Sequence, residues 1–464
     1  MALNHATTLD DDTDAMLAPD PLVTDIEALN RRHAFVMNGG KAMVMNFDHD
    51  PNLGETLTFS TQADFRGNHA NRRTVVLSDD GTSLAQLAEQ WWSHPLRREY
   101  AGLVFMPGSP PEIPTVHGRP YYNLFRGWPV KPVPGDCGLF WAHLKDIICA
   151  GDEERYRYVR RWLAHAIQKP AEMPETALVL RGGQGAGKGT LVNIYGQLFG
   201  IHFQAISQME QLLGKFNAHM QEAILVFGDE VTWGGNKQSE GALKAMITEP
   251  HMLIERKGLD TIRCANYRRF IFASNEDWPI ALGKGDRRFL VLDVAETHRA
   301  DTAYFAALRA QMKAGGLQAL MHDLLAEDLR TFDVRTKPQG GQAEADLYVR
   351  TLRGIERFWY QFLHGADEAT WPQSVSKQGF YDEYVAQCLK GTDPEGLPLF
   401  AKKLNKMCPG LRSSAPRKAK SSFGLGVGTS ASGGEREQRW EFPSLVEARQ
   451  GFERYAGQGS ALWE

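Results

Sequence analysis

The sequence is poor in the features that define several large protein classes. Among its 464 residues no run approaches the ~18 consecutive apolar residues of a membrane-spanning helix, so no membrane partner is expected. Only five cysteines occur: Cys137, Cys149, Cys264, Cys388 and Cys408. None stands in a CxxC or Cys/His cluster with metal-ligand spacing. An odd, scattered set fits reduced, mostly buried thiols rather than a zinc site or a disulfide framework. The segment MALNHATTLDDDTDAM lacks the basic start and apolar run of a secretory signal, which leads us to expect a cytoplasmic protein. Strong net charge is missing too. A value of −4 neither points to nucleic acid nor excludes it, because a ring can confine its basic residues to a channel. No internal repeat at the ~20–50 residue period of solenoids is evident.

What is present is ordinary for a globular chain, with 42% hydrophobic and 23% charged residues. The length suggests two to four domains at ~100–200 residues each. Residues 1–20, with Asp10, Asp11, Asp12 and Asp14, are expected to form a disordered acidic tail. Residues 21–135 read as an accessory region of mixed α/β character. They hold the β-type runs HAFVMNGGKAMVMNF and RRTVVLS, a helix at SLAQLAEQWW, and a Pro-rich irregular passage from Pro107 to Pro134. Asp48 and Asp50 superficially resemble a paired-carboxylate metal motif but read as loop residues. Residues 136–170 are helical, with Tyr158, Val159, Trp162, Leu163, Ala166 and Ile167 on one face and Arg157, Arg160 and Arg161 on a solvated one. Residues 171–300 read as an α/β core: strand, Gly-rich turn, helix, strand, helix, hairpin, strand. Residues 301–343 form a helical extension and linker. Residues 344–464 form a further unit, with helices at about 345–364, 377–390 and 397–408, a Gly/Ser-rich loop, and the β-type run QRWEFP. Arg412, Arg417, Lys418 and Lys420 make it basic, and its order of elements resembles a winged helix.

Five motifs carry chemistry. Gly182, Gly183, Gln184, Gly185, Ala186, Gly187, Lys188, Gly189 and Thr190 follow a strand, Thr176–Arg181, and match G-x-x-x-x-G-K. Glycines let backbone N–H groups curl around an anion, the helix N-terminus adds partial positive charge, and Lys188 reaches the β- and γ-phosphates. Gly189 stands where the pattern has Ser or Thr, so Thr190 is the nearest hydroxyl for magnesium. In AILVFGDE a buried apolar strand ends on Asp229 and Glu230. There Asp229 would hold magnesium and Glu230 would polarise an attacking water. Asn275 ends the strand RRFIFASN, where an amide can orient that water or bond the γ-phosphate. Arg287 and Arg288, in GDRRF, could reach the nucleotide of a neighbouring subunit. Arg256 and Lys257 lie toward the tip of a hairpin, where they could grip phosphates without reading sequence.

In this order and compactness the motifs resemble the superfamily 3 helicases of viruses, phages and plasmids, most of all phage and prophage primase-helicases of the poxvirus-type group. The resemblance covers about residues 120–295: YYNLFRGW, RYVRRWLAHAIQKP, the P-loop, FGDE, RKG, ASNEDWP and GDRRF. It implies an AAA+-type P-loop core with a helical N-terminal collar, assembled as a hexameric ring around DNA. ATP and Mg2+ are then the cofactors, and single-stranded and forked DNA the partners. Lys188, Asp229, Glu230 and Asn275 serve hydrolysis, Arg287 or Arg288 acts in trans, and Arg256 and Lys257 contact DNA. Priming is expected to belong to a separate protein.

Two other readings compete. An ATP-switched DNA-binding assembly or loading factor would not need Glu230. A nucleoside monophosphate kinase shares the GKGT sequence, but such enzymes carry it close to the N-terminus of a short chain.

Overall fold

The computed structural model describes residues 20–50, 54–78, 81–116, 118–214, 217–230, 237–256, 260–275, 283–338, 341–388, 393–414 and 438–463. The expected acidic tail, Lys257, Arg417, Lys418, Lys420 and the Gly/Ser-rich loop lie outside the described residues. The chain is a mixed α/β protein of two compact units, Met1–Arg126 with Glu255–Ile262, and Gly127–Ile254 with Arg263–Glu464.

In the first unit, α1 (Pro21–Asn30) leads into β1 (His33–Asn38), β2 (Lys41–Asp50) and β3 (Gly54–Ser60). The β1–β2 turn is Gly39-Gly40, both at positive φ, as a two-residue hairpin requires. Next come α2 (Gln62–Asn68), the antiparallel hairpin β4 (Arg73–Ser78) and β5 (Gly81–Gln86), and α3 (Leu87–Ser93). β6 (Glu99–Tyr100) pairs parallel with β1, giving the sheet order β3-β2-β1-β6. A small second sheet, β7-β9-β8, joins β7 (Gly102–Val104), β8 (Glu112–Ile113) and β9 (Tyr121–Asn123). Ile26, Phe35, Val44, Phe65 and Trp91 form the core between helices and sheet.

Two expectations are corrected here. The helix SLAQLAEQWW begins only at Leu87, because the apolar run of β4 needs a partner strand and Thr82–Gln86 provides it, pairing Val75 with Leu84. Asp48 and Asp50 are not loop residues. The antiparallel ladder of β2 with β3 continues to its end, setting Asp48 opposite Thr56 and Asp50 opposite Gly54.

In the second unit, α4 (Gly138–Ala142) runs into a π-helical turn, His143–Ile148, and then α5 (Glu153–Gln168), capped by Asp152. The apolar face read from the sequence of α5 is buried. Of its arginines Arg157 is exposed as read, whereas Arg160 and Arg161 both pair with the Glu327 carboxylate, Arg160 at 2.7 Å.

The core sheet contains β10 (Ala177–Arg181), β11 (Phe203–Ile206), β12 (Leu225–Asp229), β15 (Arg269–Ser274) and β16 (Phe289–Asp293), all parallel in the order β11-β12-β15-β10-β16. Strands β10, β12, β15 and β16 are near-continuous apolar runs because helices cover both faces of such a sheet. The edge strand β11 was not expected. Its sequence, FQAI, is too short and too polar to stand out. Helices α6 (Lys188–Gly196), α7 (Met209–Leu213) and α8 (Lys237–Thr248) connect the strands, and the hairpin strands β13 (His251–Ile254) and β14 (Ile262–Ala265) precede β15.

Beyond the sheet lie α9 (Thr302–Gln311) and α10 (Leu317–Ala326), then α11 (Gln342–Thr351) and α12 (Gly354–His364). A single helix was expected at 345–364; the chain breaks it at Gly354, whose φ is +52°. β17 (Ser374–Ser376), α13 (Lys377–Gln387), α14 (Leu397–Met407), β18 (Arg412–Ser414), β19 (Arg439–Glu441) and α15 (Leu445–Ala456) complete the unit. The three strands pair antiparallel in the order β17-β19-β18, over a core including Trp359, Phe380, Phe400 and Trp440.

Two adjacent arginines, Arg268 and Arg269, are almost wholly buried where β15 begins. Arg269 donates to the carbonyls of Lys169 (2.8 Å), Glu172 (2.7 Å) and Tyr267 (3.1 Å), binding the end of α5 to the sheet. Burial lowers its guanidinium to about 10, so it stays charged at neutral pH. Arg269→Ala strands these carbonyls and is expected to cost about 3 kcal/mol or more, read from urea unfolding.

Candidate functional site

Strand β10 delivers the chain at Arg181 to the Gly-rich turn, and α6 starts at Lys188. The turn is held from beneath. Gly187 has φ +96°, and a Cβ on it would lie 2.6 Å from His143 Cε1 and 2.8 Å from Phe305 Cε1. His143 Nε2 sits 3.2 Å from the Gly187 carbonyl and Nδ1 sits 3.0 Å from the Tyr304 hydroxyl. Burial lowers the His143 pKa, so the ring is neutral. A carbonyl only accepts, so Nε2–H donates to Gly187 and Nδ1 accepts from Tyr304.

At the carboxyl ends of the strands three side chains form one hydrogen-bonded row. Lys188 Nζ donates to Asn275 Oδ1 (2.8 Å), and Asn275 Nδ2 donates to Glu230 Oε1 (2.6 Å). Lys188 also donates to the turn's own carbonyls, at Gly182 (2.5 Å) and Gly183 (2.9 Å). Burial pulls the Lys188 pKa down, against the attraction of Asp229 and Glu230. Burial, reinforced by neighbouring Glu230, pushes the Asp229 carboxyl up. Glu230 itself is held at φ +55°, its N–H bonded to the Ala273 carbonyl at 3.0 Å. A non-glycine residue in that region is strained, and such strain gathers at functional sites.

The turn already binds a carboxylate: Gly183 N–H donates to Glu296 Oε1 at 3.1 Å. The amide is therefore presented as a hydrogen-bond donor to an anion, with Glu296 standing where a phosphate oxygen could bind. Gly189 is turned toward Asp229, and a Cβ there would make only ordinary contacts, with Asn193 Nδ2 at 3.8 Å and Asp229 Oδ2 at 4.0 Å. Asp229 and Thr190 could hold a magnesium ion.

These groups line one cleft of about 480 Å³, which brings together Gln184 to Thr190, Asp229, Glu230 and Asn275. Ala300, Thr302, Phe305 and Arg309 complete it, and the sequence reading missed them. The one local signal was Asp301, which caps α9 by accepting from Tyr304 N–H. Arg287 and Arg288 do not line this cleft. Arg288 is tied to Asp286, which Lys244 also pairs at 3.0 Å, whereas Arg287 is exposed with no ion pair among the described residues. Arg256 groups with the first unit, where it donates to Asn38 Oδ1 at 2.6 Å.

A family model described as a family of unknown function, DUF5906, matches residues 180–288. The chain is related to the DNA primase-polymerase of Nitratiruptor phage NrS-1, with 29% identity over 191 residues. That span is 40% of this chain and 26% of that protein, so the chain spans about a quarter of the curated relative's length. The apo structure of the NrS-1 C-terminal region superposes with a TM-score of 0.65 and 16% identity, covering 92% of this chain and all of that one. An A form of the same region gives a TM-score of 0.64 at 18% identity, covering 91% and 99%. These likenesses show a shared fold.

Two glycines two residues apart should respond oppositely. Gly187→Ala meets His143 and Phe305 at positive φ and is expected to destabilise by about 2 kcal/mol. Gly189→Ala makes only ordinary contacts in a first helical turn and is expected to stabilise by about 0.5–1 kcal/mol. Thermal unfolding of both variants checks the pair.

Proposed function

We propose that the chain is the ATP-driven motor of a phage-type DNA replication system, a superfamily 3 helicase with an AAA+-type core acting as a hexameric ring on single-stranded and forked DNA. The observation that carries this reading is the row Lys188–Asn275–Glu230 beside Asp229, at the carboxyl ends of a parallel sheet. A site that only bound nucleotide would need Lys188 and the turn. It would not need a strained carboxylate aimed by an amide. Relationship to a phage primase-polymerase supports a place in replication.

In this reading the amides of Gly183 to Lys188 and the Lys188 ammonium bind the phosphates, displacing Glu296 and the turn's own carbonyls. Asp229 and Thr190 hold magnesium, which when bound neutralises phosphate charge. Glu230 takes the proton of the attacking water while Asn275 fixes the carboxylate's position. Arg287 serves the neighbouring subunit's nucleotide, because Arg288 is already committed to Asp286. Arg256 and Lys257 contact DNA. The helices and three-stranded sheet of residues 344–464 act as a winged-helix-like DNA-binding domain.

The test is the ATPase rate with and without single-stranded DNA. DNA should stimulate the wild type, and Glu230→Gln should lower turnover by about 100-fold or more while nucleotide still binds. Arg287→Ala should lose activity that mixing with Lys188→Ala subunits partly restores, and Arg288→Ala should not show that rescue. Hydrolysis indifferent to DNA would replace the motor with an ATP-switched assembly or loading factor. Phosphate transfer to a nucleoside monophosphate would replace both with a kinase.

A further inference from the structure

Arg287, the residue that the reading above sends to a neighbouring subunit, lies on a short loop, residues 283–288, that leads into β16. The residues around it are tied down. The Asp286 side chain is buried, paired by Lys244 on α8 at 3.0 Å and by Arg288 at 3.5 Å. Asp286 N–H also donates to the Gly283 carbonyl at 3.2 Å, which closes the loop on itself. Arg287 stands exposed between Asp286 and Arg288.

A further tie comes from α15, far along the chain. A helix leaves its last carbonyls without intrahelical partners. One of these, on Ala456, accepts from Gly285 N–H at 3.1 Å. Beside it Lys284 Nζ stands 3.6 Å from the centroid of the Tyr455 ring, a cation–π contact. The two backbones leave no room for a side chain between them. Gly457 ends α15 at φ +68°, and a Cβ on it would lie 2.9 Å from Gly285 Cα and 3.1 Å from Gly285 N. The helix itself is fixed. Ala448, Phe452 and Ala456 are buried in the core that includes Trp359 and Phe400, and Tyr455 Oη donates to Glu356 Oε1 on α12 at 2.5 Å.

Hydrolysis within one subunit does not call for this bridge, since the loop does not line the cleft. An arginine acting in trans gains from it. Such a side chain must meet the transferring phosphoryl group at the moment of reaction, and backbone freedom removed beforehand need not be removed then.

We infer that the carboxyl end of α15 is the positioning element for Arg287. Lys284 and Gly457 hold the loop in the conformation that serves the neighbour's ATP, so the C-terminal segment of each subunit sets the hydrolysis rate of the next. The inference rests on the trans role of Arg287 proposed above. Lys284 and Gly457 are positioning residues, acting through Arg287 and not on the nucleotide.

The experiment uses the full chain carrying Gly457→Asn. Asparagine tolerates the left-handed conformation but brings the Cβ that displaces Gly285. Its ATPase kcat should fall about tenfold or more with little change in KM, a part of the ~10³-fold that such an arginine can supply. Amide hydrogen exchange at residues 284–286 should quicken, because Gly285 N–H loses its acceptor. Mixing with Lys188→Ala subunits, whose loops are intact, should restore part of the rate, a rescue that damage to the variant's own cleft would not show. Lys284→Ala should lower the rate by about two- to fivefold, and Lys284→Arg, which keeps a cation over the ring, should not. Gly457→Asn combined with Arg287→Ala should be no slower than Arg287→Ala alone. Unchanged exchange or unchanged turnover in Gly457→Asn, a loss that mixing does not repair, or additive losses in the double variant overturns the inference and leaves the trans arginine standing. No hydrolysis by the wild type, or Arg287→Ala at the wild-type rate, overturns both.

Discussion

The parallel pairing of β10 between β15 and β16 is the constraint on which the second unit rests. Both neighbours run in the same direction as β10, in registers that set Arg181 beside Ser274 and Asp293. Parallel strands need crossovers, and the crossovers cover both faces, so the only open part of the sheet is its ends. Asp229 is the last residue of β12, and the Gly-rich turn, Glu230 and Asn275 each begin directly past a strand's carboxyl end. Their convergence is a property of the sheet before it is a property of any side chain.

Charge is then concentrated where the apolar strands stop. Arg181 joins the Asp293 carboxylate through two bonds, of 2.5 and 2.8 Å, and reaches Asp346 on α11 at 3.3 Å. Nearby, Lys337 and the buried Glu344 pair at 2.6 Å, and Glu344 also accepts from Val291 N–H. These contacts fasten the helices after the sheet to its edge strand. Lys188 is tied differently: desolvated and satisfied by the turn's own carbonyls and Asn275, it holds a ready charge that a stronger anion can claim.

Sequence patterns carried the central sheet well, because four of its strands are apolar runs ending on polar residues, and the buried face of α5 follows a helical period. They failed where pairing decides structure. SLAQLAEQWW has helix-forming composition, yet its first four residues are drawn into a hairpin by RRTVVLS. The Asp48 and Asp50 pair reads as a turn until β3 is set against it. Helix α15 went unseen although Ser444 and Glu447 form a capping box that was readable. At the cleft, the turn and the strand-end residues were legible as motifs. Ala300, Thr302, Phe305 and Arg309 were not, since residues that reach a site across the fold leave no local spacing to detect.

His143 lies 44 residues before Gly187 in sequence, and Tyr304 lies well beyond β16, yet together they seat the Gly187 turn. The span 180–288 contains neither. A fragment trimmed to that span would keep every residue of the G-x-x-x-x-G-K motif and lose the support beneath it. A fragment that keeps the Gly187 turn seated therefore reaches from the π-helical turn to α9.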